Sequence, residues 1–148
     1  DSKHHYTRDL AKNFWMSKAY NLPQDWRVCA ENLYAKHSIG YDNLPGYLLG
    51  FSIWDDRNTC LSWADTIDYF NLLEIPMVST MYEGLYDEDL IKRLNIANHE
   101  GYVVRLANSF EYRDFNRSVA KYVRKNHVTS DQHWFYGKNN HELNTLKN

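Results

Sequence analysis

The chain's 148 residues and 17.7 kDa make room for one domain with a real core, not two. A hydrophobic share of 43% against 24% charged excludes a disordered or low-complexity chain, and no apolar run nears the ~18 residues of a membrane span at a mean hydropathy of −0.70. Seventeen basic and nineteen acidic side chains, net −2, exclude binding of a polyanion by bulk charge but leave a local basic groove open.

The opening stretch DSKHHYTRDLAKNFW has no apolar h-region and no initiating Met, which reads as a processed chain or a fragment rather than a signal peptide. Leu10, Phe14 and Trp15 share one helical face, so a short helix is expected near 8–19, broken by Pro23. WRVCAENLY (26–34) reads as a strand, with Trp26, Val28 and Ala30 on one face and Arg27, Cys29 and Glu31 on the other. Turn formers over 35–46 predict a loop. YLLGFSIW (47–54) reads as a buried strand, DDRN as a turn and TCLS as a short partner strand.

Ser62 is placed to cap a helix over 63–74, with Asp65 near its positive end and Trp63, Ile67, Phe70 and Leu73 as the apolar stripe; Pro76 is expected to end it. A strand over 77–82, a short helix over 87–94 and strands over 100–106 and 118–124 complete the elements, and the polar tail from Asn139 is expected to fray. The pattern predicts a mixed α+β fold dominated by antiparallel strands.

Cys29 and Cys60 form no CxxC pair, which fits a reducing, cytoplasmic setting. The histidines miss zinc-ligand spacing, and GxSxG, GxxxxGK[ST] and GxGxxG are all absent. Five Trp, twelve Tyr and six Phe could build a core or offer stacking faces. Four islands place a charged or aromatic residue in strand-like apolar context. Glu31 is either a carboxylate for ligand hydroxyls or an edge-strand acid facing water. The Gly50-Phe51 pair either lets a flat ligand approach the ring or is plain core. Glu100-Gly101 is either a hard oxygen ligand for Mg²⁺ or the start of a strand. Lys121, between Val119 and Val123 on one strand face, either meets a phosphate or lays its stem over the sheet. Arg117, Arg124, Lys125 and His127 around it form either a phosphate track or a solvated edge.

Taken in order, ENLYAKHSI, YLLGFSIWD, EGYVVRL and SVAKYVRKNHV resemble nucleotidyltransferase motifs III, IIIa, IV and V of the RNA ligase family, in the superfamily of DNA ligases and capping enzymes. Twenty residues separate Glu31 from Phe51, 49 separate Phe51 from Glu100, and 21 separate Glu100 from Lys121. The resemblance covers roughly residues 1–135. It implies an antiparallel-rich, ATP-grasp-like ligase adenylation domain, incomplete at its N-terminus, with ATP as AMP donor, Mg²⁺ or Mn²⁺, and RNA ends as substrates. AMP would pass through lysyl-AMP to an RNA 5′-phosphate before sealing to a 3′-OH. By that resemblance Glu31 binds ribose, Phe51 stacks on adenine, Glu100 holds metal or orients the nucleophile, and Lys121 contacts the α-phosphate, with Glu100 and Lys121 catalytic. Arg117, Arg124 and Lys125 are the further RNA or phosphate candidates, Arg124 or Lys125 replacing the second lysine of a K-x-K where Val123 stands. The family's KxDG nucleophile is not present: Lys3, Lys12, Lys18 and Lys36 lack the following xDG. The alternatives are a DNA-ligase or capping-type nucleotidyltransferase, and a catalytically silent RNA-binding module.

Overall fold

The computed structural model describes residues 2–33, 42–44, 46–97, 99–124 and 145–146. Among them helices mix with mainly antiparallel strands, the α+β class that the sequence pattern predicts. The helix α1 (Ser2–Met16) is followed by a 3-10 turn at Ala19–Asn21, so the helical signal near 8–19 marks a longer element that still ends before Pro23. Strands β1 (Arg27–Asn32), β3 (Leu48–Trp54), β4 (Thr59–Cys60) and β6 (Phe110–Glu111) form one sheet in the order β1-β3-β4-β6. Strands β5 (Gly101–Arg105) and β7 (Val119–Val123) form a separate antiparallel pair. A third pair is parallel, β2 (Asp42–Leu44) with β8 (Thr145–Leu146).

Helix α2 (Trp63–Leu73) packs one face of the four-stranded sheet. Ser62 Oγ accepts the Asp65 amide at 3.2 Å, satisfying one of the first-turn donors. Ile53, Phe70, Leu73 and Ile75 form the buried cluster between helix and sheet, with Phe14, Trp15, Trp26 and Val28 closing its edges. Thr66 is fully buried on the same side; its hydroxyl donates to the Ser62 carbonyl at 2.7 Å, which makes a polar residue tolerable there. The helix stops at Glu74 in a left-handed conformation (φ 55°, ψ 40°), before Pro76 can act.

The expected strand over 77–82 is not formed. Gly50 donates to the Pro76 carbonyl at 2.7 Å and accepts from the Val78 amide at 3.0 Å, a single parallel bridge between Gly50 and Met77. Beyond Val78 the chain leaves the sheet edge and residues 79–86 are exposed. Helix α3 (Glu88–Lys92) is shorter than expected, capped by Asp87, whose carboxylate accepts the Leu90 amide at 3.1 Å. The short helix α4 (Phe115–Ser118) and β6 have no counterpart in the sequence pattern. Most of the expected 35–46 loop and of the tail from Asn139 lies outside the described residues; within those ranges 42–44 and 145–146 are strand. No helix of the described residues is long and apolar enough to cross a membrane.

Candidate functional site between the two sheets

One irregularity in β3 decides which residues face which way. Arg27, Val28 and Cys29 pair with Trp54, Ile53 and Ser52, but Ala30, Glu31 and Asn32 pair with Gly50, Leu49 and Leu48. Phe51 is therefore an extra residue, a bulge with no partner in β1. The bulge puts Gly50 on the same side as Ile53, against α2, where a Cβ on Gly50 would sit 2.2 Å from the Phe70 ring. Cross-strand partners share a face. The opposite face therefore carries Cys29, Glu31, Leu49, Ser52 and Trp54. The strand faces predicted for β1 hold: Val28 packs on the α2 cluster and Cys29 on the Trp54–Cys60–Phe110 cluster.

The β5–β7 pair lies over that second face. Gly101, Val103 and Arg105 pair with Val123, Lys121 and Val119 and share a side with them. At one end Val119 packs on Trp54, Cys60 and Phe110. Arg105 fixes the same end: it donates to the Leu61 carbonyl at 2.8 Å and to Cys60 Sγ at 3.5 Å, with its guanidinium 5.1 Å from the centre of the Phe110 ring. Burial pushes the Cys60 thiol pKa up, against the pull of Arg105, so this cysteine is an inert core residue. Farther along, Val103 is 60% exposed and Lys121 is open to solvent. The sheets thus meet at Arg105 and Val119, and the open side beyond them, where Val103 and Lys121 are exposed, is the candidate cleft.

Glu31 reports what gathers in that cleft. Its carboxyl is raised above the ordinary glutamate range, first by burial and then by the Glu100 carboxylate, with the Lys121 ammonium pulling it back. The charges of Glu100 and Lys121, from two segments distant in sequence, therefore act on the Glu31 carboxyl. Because the folded state binds the Glu31 proton more tightly than the unfolded state, folding stability falls as pH rises from the ordinary glutamate value through the raised one. Glu31→Gln is expected to be more stable than the parent above that window and no more stable below it. Thermal midpoints measured from pH 4 to pH 8 check this, and a constant difference across the range would refute it.

Phe51 is 42% exposed and belongs to none of the buried clusters, whereas its neighbour Ser52 is buried and Ile53 and Trp54 belong to two of them. Glu100 is half-buried immediately before β5. Arg117, in α4, lies outside the cleft: it is ion-paired to Asp114, the residue just before that helix, and lines a separate open bowl of about 610 Å³ with Thr59, Phe110 and Glu111. Two carboxylates, Glu111 and Asp114, line that bowl beside the ion-paired guanidinium. Arg124 donates to main-chain carbonyls of the turn before Glu100. Lys125 and His127 lie outside the described residues.

The family model for RNA ligase matches residues 1–123. The chain belongs to the RNA ligase family. No curated protein and no solved structure matches it. For this RNA ligase family chain, sequence reasoning singled out Glu31, Glu100 and Lys121 without the means to see Val103 as the partner of Lys121 or Arg105 as the tie between sheets. Arg105 carried a signal, a charge closing an apolar strand, but its carbonyl and thiol partners are 44 and 45 residues away.

Proposed function

We propose that this chain forms the nucleotide-binding walls of an ATP-dependent RNA ligase adenylation domain, which moves AMP from ATP to an RNA 5′-phosphate and seals that end to a 3′-OH. The observation that carries the reading is that the Glu100 and Lys121 charges both act on the Glu31 carboxyl where the two sheets face each other, in a chain of the RNA ligase family. Glu31 accepts hydrogen bonds from ribose hydroxyls. The exposed Phe51 ring takes the adenine face, which supplies position rather than chemistry. Lys121 meets the α-phosphate as a point charge and neutralises charge that grows as the phosphoryl group transfers.

No group of three or more His, Cys, Asp or Glu side chains forms a cation cage among the described residues. Mg²⁺ does not need one, since one or two carboxylates suffice where phosphates and water complete the shell. A carboxyl whose ionisation is opposed by a neighbouring carboxylate, as Glu31's is by Glu100, is a fitting place for a divalent cation. Glu100 would hold Mg²⁺ or Mn²⁺, which when bound would offset phosphate charge and help keep the nucleophilic amine neutral. That nucleophile is proposed to be a KxDG lysine, a sequence these 148 residues do not contain. The cytoplasm is the proposed location.

A silent RNA-binding module using the 117–127 stretch as a basic track has less support, since Arg117 is held by Asp114 and Arg124 by carbonyls. The test is calorimetric titration with ATP and GTP, with and without Mg²⁺ or Mn²⁺. ATP should bind, more tightly with metal and more tightly than GTP. Preference for GTP would point to capping, and absence of ATP binding would refute the reading. With a KxDG-bearing segment joined ahead of Asp1, α-labelled ATP should leave label on the protein that mild acid releases, as a P–N bond requires.

A further inference from the structure

Arg124 follows β7, where Val119, Lys121 and Val123 share the cleft side and Ala120 and Tyr122 face away. Strand alternation directs Arg124 away from the cleft with Tyr122. Its Nη1 donates to the carbonyls of Ala97 at 2.5 Å, His99 at 3.2 Å and Ile96 at 3.3 Å. Its amide donates to the Glu100 carbonyl at 2.9 Å. Three carbonyl dipoles converging on one charged nitrogen make a strong, charge-assisted hold on the turn that leads into Glu100.

We propose that Arg124 is a positioning residue: by holding the carbonyls of Ile96, Ala97 and His99 it sets where the Glu100 carboxylate stands in the cleft, and it does not take the place of a second phosphate-binding lysine. This rests on reading the cleft as the adenylate site. The family motif alone would have aimed this side chain at phosphate; the carbonyl contacts and the strand alternation place it elsewhere.

Amide hydrogen exchange on the 148-residue chain tests the clamp, and a double-mutant cycle tests its consequence. Arg124→Met should speed exchange at 97–101 by roughly tenfold while leaving β1 and β3 unchanged, with Arg124→Lys between the two. The gain in ATP affinity that Mn²⁺ supplies should fall by about fivefold or more in Arg124→Met. It should fall no further in Arg124→Met/Glu100→Gln than in Glu100→Gln alone. Unchanged exchange at 97–101 would overturn the clamp. Losses that add in the double variant, or a loss of metal-free ATP binding in Arg124→Met, would restore the phosphate contact. If Arg124→Met does not fold, Arg124→Lys is read in the same way. If the parent binds no ATP, the adenylate reading fails, and exchange at 97–101 still decides whether Arg124 fixes the approach to Glu100.

Discussion

Gly101→Ala should lower the thermal midpoint by roughly 10 °C, through a loss of about 3 kcal/mol. A Cβ at this position would stand 1.9 Å from the Tyr122 carbonyl oxygen and 3.0 Å from the Val123 Cα. These are backbone atoms of the facing strand, so no side chain can swing aside. The β5–β7 pair would have to part at the end where the Arg124 amide meets the Glu100 carbonyl. Damage should therefore appear in hydrogen exchange at 100–105 and 119–124 before it reaches β1 and β3. A variant whose midpoint stays within about 2 °C of the parent would show that the strands separate freely there.

Lys121→Met should reduce ATP affinity about a hundredfold, the scale of one charge-assisted contact worth ~2.7 kcal/mol. It should leave stability within about 0.5 kcal/mol, since the side chain is exposed and methionine keeps most of its stem. Removing the ammonium also removes the one attraction that draws the Glu31 pKa down, so the Glu31 carboxyl should titrate higher still. Carboxyl NMR and calorimetry read the two effects separately. A variant that binds ATP like the parent removes Lys121 from the phosphate; a Glu31 titration that does not move removes it from Glu31's surroundings.

Local chemistry made several elements legible. Ser62, Asp87 and the Asp55 turn announce themselves because each short polar side chain satisfies a nearby amide, as in the 2.9 Å bond from the Arg57 amide to Asp55 Oδ1. The faces of β1 followed from strict alternation. Alternation failed at Phe51 because nothing in YLLGFSIW says which residue the opposite strand will skip. The segment 77–82 has strand composition, yet only Gly50 offers it an edge. Glu31, Glu100 and Lys121 could be picked out as charges in apolar strands, but their convergence depends on Arg105 and Val119 drawing one sheet onto the other. Arg124 was legible as a charge but its contacts were not, since the carbonyls it meets lie 25 to 28 residues back.

The skipped residue in β3 has a mechanical consequence. A side chain borne on a paired residue is geared to the ladder, and turning it strains interstrand bonds on either side. Phe51 sits outside that gearing. Its ring can turn without straining the ladder, while the paired residues on both sides keep their grip on β1.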